Sequence, residues 1–392
     1  MGPLAGIKVL DLSCYIAGPY GCTLLADLGA EVIKIEPPGG DTLRSYPSTF
    51  EHESRGFLGI NRSKCAMVLD AKHPEGRKIL HRLVASSDVL VHNFRPSVPP
   101  RLGIDYETLK AINARLICCS LTGYGEVGPL KDKAGYDQVL QSMTGICTFQ
   151  GDKENAEIVL GSPVDFYAAS MIAYGVTAAL YHRERTGEGQ HVKISLLASA
   201  LAMQSGRFVW AEGEPRDASR DIRAGGITGI HPTKSGEIYL SANTPHFWRS
   251  LCELVALPEL ARDPNYDTVR KRAQRAEEIV PRIRATLLSR TALEWEEIFG
   301  ERVPCCAVRP IEDMFDHPQV VAEGLVANLQ STNAGNYRGF ANPMKFTASE
   351  LALPSGAPAL GEHTEKILAS FGLSEKEITE LRATKVIVPT DS

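Results

Sequence analysis

Asp165 stands in Ser162-Pro163-Val164-Asp165-Phe166-Tyr167, just after a proline and at the start of a long apolar, alanine-rich stretch. A carboxylate there can be a nucleophile. It can also serve only the helix, because an acidic first turn answers the positive end of the helix dipole. On residue pattern alone the second role is the simpler one. No acidic residue lies beside Asp165 in sequence, so a paired-carboxylate site is not readable. A second group is Asn93-Phe94-Arg95-Pro96 with Arg101, directly after the apolar run DVLVH. Two arginines and an amide at a strand end suit an anion such as a phosphate, since guanidinium offers paired donors. Arg62, Lys64 and Lys72 add positive charge nearby in sequence. A third is the turn Ser13-Cys14-Tyr15-Ile16-Ala17-Gly18-Pro19, which lacks the GxGxxG dinucleotide fingerprint. GxxxxGK[ST], GxSxG, HExxH and HxEPCxxC occur nowhere in the chain, which disfavours P-loop, serine-hydrolase, zincin and deaminase chemistry. Gly123, Gly125, Gly128 and Gly135 precede Tyr136-Asp137 and signal a close backbone approach. Cys305-Cys306, in an apolar run, read as core, and His231 and His246 have no motif partner.

These residues sit between elements that alternate. Residues 7–12 read as a buried strand, 19–28 as a helix with Leu24, Leu25 and Leu28 on one face, and 31–36 as a strand. That is a βαβ unit, which calls for a parallel sheet. The alternation continues with a helix at 75–84, a strand at 88–92, a helix at 106–112 and a strand at 115–121. Then come a long helix at 164–183, a strand at 191–197 and a helix near 198–211. Residues 213–228 are polar and glycine-bearing and read as a linker or loop. A smaller α+β segment follows, with strands at 238–243 and 303–308 and helices at 246–255, 267–289 and 292–299. From about 320 the chain reads as loop-rich, with one short helix at 363–371. Such a succession is α/β with helices on both sheet faces.

The 392 residues suit two domains, and 43% hydrophobic with 23% charged residues exclude a disordered chain. A net charge of −5 argues against bulk electrostatic binding of nucleic acid. No apolar run reaches a membrane span, and the N-terminus lacks a basic stretch followed by an apolar core, so neither a membrane partner nor a secretory signal is expected. Nine scattered cysteines, with no CxxC and no zinc spacing, read as reduced thiols of a cytoplasmic protein and predict no metal site.

Several segments together resemble the class III coenzyme A transferases, the CaiB/BaiF family that includes formyl-CoA and carnitine CoA-transferases. The resemblance is carried by GIKVLDLS, AGPYG and LADLGAEVIKIEPPGGD within 6–41, NRSK at 61–64, VLVHNFRP at 89–96, LICCSLTGYGEVGP and AGYD within 116–137, the whole of 164–197, and LGEHTEKIL at 360–368. It implies a Rossmann-like large domain built from residues 1–200 and 321–392, a crossing segment at 201–224 and a small α+β domain at 225–320. It further implies an open ring interlocked with a second protomer, so that the expected partner is another copy of this chain. Asp165 matches the family nucleophile, with backbone N–H groups at the helix start available to developing oxyanions. Coenzyme A contacts fall by position on Ile16 and Ala17, on Leu69 and Lys72 beside the adenine, on Asn93, Phe94, Arg95 and Arg101 beside the phosphates, and on Tyr136 and Asp137 beside the pantetheine. Gly225 and Gly226 match the family's lid, without its run of four glycines. No tightly bound cofactor is implied; acyl-CoA thioesters, often succinyl-CoA, and small carboxylates or dicarboxylates are the substrates. Arg207, Arg220 or Arg223 could anchor a second carboxylate. Pro37 and Ile16 depart from the family pattern, and the second departure argues against oxalate and formyl-CoA. The related α-methylacyl-CoA racemases carry histidine where this chain has Tyr136, and tyrosine, ordinarily titrating at about 10, is a poor proton shuttle at neutral pH. Transferase therefore ranks ahead of racemase, and both ahead of a non-catalytic CoA-binding protein.

Overall fold

A computed structural model describes residues 1–150, 154–216 and 227–387. Its described residues form two units, Met1–Val209 with the stretch from Pro318, and Trp210–His317.

The first unit is organised on six parallel strands: β1 (Lys8–Asp11), β2 (Glu31–Glu36), β3 (Lys64–Val68), β4 (Val89–His92), β5 (Ile117–Thr122) and β6 (His191–Ser195). Their order is β3-β2-β1-β4-β5-β6, a doubly wound sheet whose direction of winding reverses between β1 and β4. The strands are rich in apolar residues on both sides because both faces of the sheet are covered. Val9, Val32, Val91 and Cys119 face one layer with Leu25, Ile172 and Val176 from the helices Ala17–Asp27 and Pro163–Thr186. Leu10, Ile33, Met67, Leu90 and Cys118 face the other, with Leu80 and Leu83 of the helix Pro74–Ala85.

Strand β3 went unread in the sequence because KCAMV holds a single β-branched residue, Val68, and so carries little strand signal. It is an edge strand, and residues far along the chain cover it. The Val68 amide donates to Thr364 Oγ1 (3.1 Å), the Ala66 amide to His363 Nδ1 (3.3 Å), and the His363 amide to the Ala66 carbonyl (2.9 Å). Ile367, Leu368 and Leu381 follow into the second core layer. The stretch after 320 also holds an antiparallel hairpin, Val326–Ser331 with Gly335–Phe340, whose polar alternation hid it.

The second unit carries an antiparallel sheet of β7 (Gly229–Pro232), β8 (Glu237–Leu240) and β9 (Cys305–Ala307). Helices Pro245–Leu254, Ala276–Leu287 and Ala292–Phe299 pack Trp248, Ile283 and Trp295 into its core. Two helix expectations need correction: the helix near 198–211 stops at Ala202, and 267–289 is divided at Arg275 into Val269–Gln274 and Ala276–Leu287. Cys306 is exposed and Cys305 half-buried, because neighbours on a strand face opposite ways. All nine cysteines are free thiols. Among the described residues no helix is long and apolar enough to cross a membrane. Gly225, Gly226, Arg220 and Arg223 lie outside the described residues.

Candidate active site

A cleft of about 280 Å³ opens where the sheet's winding reverses, at the carboxyl ends of β1, β4 and β5. This is where a doubly wound sheet leaves room for a ligand, because the connections on either side leave in opposite directions. Asn93, directly after β4, fastens the turn after β1: its Nδ2 donates to the Cys14 carbonyl (2.8 Å) and its Oδ1 accepts from the Cys14 amide (3.1 Å). From below, Lys34 Nζ donates to the Ser13 carbonyl (3.0 Å) and to Asp41 (2.9 Å), and Asp41 accepts from the Tyr15 amide (3.2 Å). Lys64 Nζ lies 2.8 Å from Asp11. Burial alone would raise the Asp11 carboxyl, but Lys64 and Lys34 beside it bring it down to about 2.

Asp165 enters the cleft as the third residue of the helix Pro163–Thr186. Gly161 (φ 88°) and Ser162 (φ 55°) turn the chain through left-handed conformations, and Pro163 fixes the first helical residue. Ser162 does not cap this helix; Asp137 does, from another element. Asp137 Oδ2 accepts from the amides of Val164 (2.7 Å) and Asp165 (3.1 Å), and its Oδ1 accepts from Gln141 Nε2. Gln141 in turn pairs with the Val159 amide (2.8 Å) and carbonyl (2.9 Å), tying down the approach to the helix. The Phe166 amide donates to the Ser162 carbonyl (3.1 Å). The helix-start amides expected to face an oxyanion are therefore already engaged.

Two carboxylates thus meet that lie far apart in sequence. Burial, and then the Asp137 charge, push the Asp165 carboxyl up to about 7. No described residue donates a hydrogen bond to that carboxyl. Asp137 reaches its place because Gly123 and Gly135 pack backbone on backbone. A Cβ on Gly123 would sit 2.8 Å from the Gly135 Cα, and one on Gly135 2.6 Å from the Gly123 Cα. The close approach signalled by these glycines is to each other.

Of the residues singled out in the sequence, Ile16, Ala17, Asn93, Phe94, Arg95, Tyr136, Asp137 and Asp165 line the cleft. Leu69 is buried in the second core layer, and Lys72 and Arg101 are exposed; none of the three lines it. Nor does Arg207, whose guanidinium lies 3.5 Å over the Phe149 ring. Arg62 and Lys64 do not supply free positive charge: both are buried, Arg62 against Asp27 (Nε–Oδ1 3.2 Å) and Lys64 against Asp11. Sequence reading missed Lys131 and Lys133, which line the cleft with Arg95. None of these three cations is ion-paired to a described residue. The signal was present, two lysines just before Ala134-Gly135-Tyr136-Asp137, but nothing marked the loop as reaching the strand ends. Their loop is anchored through Glu126, which accepts from Ser120 Oγ (3.1 Å) and pairs with Lys193 (2.5 Å). Tyr15 and Tyr46 also line the cleft and were missed.

The arrangement brings a carboxyl at a helix start, apolar side chains and three cations into one cleft. The sequence profile of CoA-transferase family III matches residues 4–364. The chain is 32% identical to a succinate–glutarate CoA-transferase of Agrobacterium fabrum, over 96% of this chain and 98% of that one. It is 31% identical to the human succinyl-CoA:glutarate CoA-transferase, over 98% and 90%. The crystal structure of a CAIB/BAIF family protein from Brucella suis superposes with a TM-score of 0.83 at 29% identity, covering 94% of this chain and 99% of that one. Profile, relatives and fold agree along nearly the whole sequence, and the chain belongs to CoA-transferase family III.

Proposed function

We propose that this chain moves coenzyme A from succinyl-CoA to a small carboxylate or dicarboxylate, with Asp165 as the covalent nucleophile. The observation that carries the reading is a carboxyl in a cleft, unbonded by the described residues, beside a second carboxylate that is fully engaged. The ionised Asp165 attacks the thioester carbonyl, the C–S bond breaks, and CoA leaves as thiolate with an acyl-aspartyl anhydride behind it. The thiolate adds to the aspartyl carbonyl and expels succinate, leaving an aspartyl-CoA thioester. The acceptor carboxylate attacks that thioester and again expels the thiolate. The thiolate then takes the new acyl group and frees Asp165. Each step exchanges bonds of comparable energy, which is what covalent catalysis supplies.

Ile16, Phe94 and Tyr136 supply apolar surface for the pantetheine arm, and Arg95, Lys131 and Lys133 supply cations for the phosphates. Coenzyme A is larger than this cleft, so Leu69, Lys72 and Arg101 remain proposed contacts for its nucleotide end. Water must be excluded, because hydrolysis of the anhydride would waste the activation. The resemblance gives that task to the stretch holding Gly225 and Gly226. We also propose that the chain works as a homodimer. Support comes from Phe166, Tyr174 and Tyr181, exposed along one face of the long helix at spacings of eight and seven residues.

The test is to incubate the protein with succinyl-CoA and a panel of acids, identify CoA products by mass spectrometry, and trap the enzyme with hydroxylamine. New CoA thioesters and a label on Asp165 are expected. Near-wild-type transfer by Asp165→Ala would overturn the assignment.

A further inference from the structure

The loop that brings Lys131 and Lys133 to the cleft runs from Gly123 to Gly135 and is closed at its base. Gly123 and Gly135 pack backbone on backbone, and the Gly123 carbonyl accepts from the Leu197 amide (3.0 Å). The buried Tyr124 donates its hydroxyl to the Ala134 carbonyl (3.4 Å). Beyond that base the backbone bonds only to itself, the Lys131 amide to the Gly128 carbonyl (3.4 Å) and the Lys133 amide to the Leu130 carbonyl (2.9 Å). Leu130 rests against the first core layer. Gly125 and Gly128 flank Glu126 at φ 97° and 87°, so the backbone alone leaves the direction of the tip open.

A side chain closes that choice. Among the described residues, Glu126 is the only one between 125 and 133 whose side chain hydrogen-bonds outside the loop. Its Oε1 accepts from Ser120 Oγ of β5 (3.1 Å), and its Oε2 pairs with Lys193 Nζ of β6 (2.5 Å). Ser120 has one hydroxyl proton and a carboxylate only accepts, so that proton goes to Glu126 and the Ser120 oxygen takes His191 Nε2 as donor (2.9 Å). The His191 ring stacks in turn on Tyr106, 5.2 Å between centroids. Burial would raise the Glu126 carboxyl, but the Lys193 bond and the His191 charge hold it below the ordinary carboxylate range. It is therefore ionised at neutral pH. None of Ser120, Glu126, His191 and Lys193 lines the cleft. From this division of the loop into a closed base and a tethered tip we infer that Glu126 is a positioning residue for coenzyme A. It sets where Lys131 and Lys133 meet the phosphates, separately from the base that sets Asp137. The inference rests on the coenzyme A placement proposed above.

The experiment titrates CoA and pantetheine into the protein by calorimetry and measures kcat alongside. Glu126→Gln should weaken CoA by about fivefold or more, because lysines moved off the phosphates lose charge-assisted bonds. Charge alone predicts the opposite, since removing an anion from this loop favours a phosphate. Pantetheine, which lacks the nucleotide, should bind within about twofold of wild type, and kcat should hold within about twofold because the base stays closed. In a Lys131→Ala/Lys133→Ala background, Glu126→Gln should change the Kd for CoA by less than about twofold. Lys193→Gln loosens the same tether from a more than half-exposed position, should weaken CoA in the same direction, and decides the matter if Glu126→Gln fails to fold. CoA binding unchanged or tightened in the folded variants overturns the inference. So does equal weakening of pantetheine, or a full effect in the background without the two lysines. Wild type that binds CoA and transfers it to no acid overturns the transferase reading and leaves this inference to the titrations. Wild type that binds no CoA overturns both.

Discussion

Asp137→Asn exchanges one oxygen for a nitrogen and separates two roles. Asp137 accepts on both oxygens, from Gln141 Nε2 on one and from the amides of Val164 and Asp165 on the other. A carboxamide has a single acceptor oxygen. Whichever way the new side chain turned, its NH₂ would face donors, and Gln141 cannot rotate to help without breaking its pair with Val159. One buried donor set loses its partner, which costs about 1–3 kcal/mol of folding stability. The second effect is electrostatic. Burial and the Asp137 charge together hold the Asp165 carboxyl at about 7. The variant removes the charge and leaves the burial, so the Asp165 carboxyl should fall but stay above the ordinary carboxylate range. The nucleophile is the ionised form, so kcat/KM rises with pH through that value and its acid limb should move to lower pH in the variant. Well below the limb, each unit of movement leaves about tenfold more ionised Asp165. Urea denaturation reads the first effect and a kcat/KM profile from about pH 4.5 to 8.5 reads the second. If stability falls while the acid limb keeps its place, Asp137 is only a helix cap and the coupling between the carboxylates is refuted.

Asp165→Asn should abolish transfer and stabilise the protein by about 0.5–2 kcal/mol above neutral pH. A carboxyl raised from 3.8 to about 7 makes the folded protein bind more protons than the unfolded chain between those values, so stability falls as pH rises through that window. Thermal melts of both proteins should therefore converge toward pH 4 and diverge toward pH 8; parallel melts would contradict this. Gly123→Ala forces a Cβ to 2.8 Å from the Gly135 Cα, and should lower stability by about 1–3 kcal/mol and impair transfer by shifting Asp137. Gly59→Ala, whose Cβ would meet nothing within 4 Å, is the matched control and should leave both unchanged.

The sheet was legible where β-branched and other apolar residues cluster between helical patterns, at Lys8–Asp11, Glu31–Glu36, Val89–His92 and Ile117–Thr122. It was illegible at Lys64–Val68, because KCAMV holds a single β-branched residue. Asp165 was visible as a helix-start carboxylate. Its partner was not, since Asp137 caps a helix 28 residues away and such a cap has no local pattern. The cations were read at the wrong places for the same reason. Arg62 and Lys64 carry charge that buried carboxylates neutralise, while Lys131 and Lys133 reach the cleft only through the folding of a loop. Composition counts charge; only the tertiary structure says which of it is spent internally.

The covering of β3 by His363 and Thr364 has a consequence for biosynthesis. The sheet that holds the active site gains its last edge partner almost 300 residues after that strand is made. Until then the nascent chain presents an open edge of Ala66, Met67 and Val68, and Leu10 and Ile33 lack the cover of Ile367 and Leu368. Open apolar edges template pairing with other chains, and contacts this distant form late. The interval between synthesis of residue 68 and residue 364 is therefore the period in which chaperones are expected to hold the nascent chain. Ribosomes stalled before that point should display a half-covered sheet that binds them.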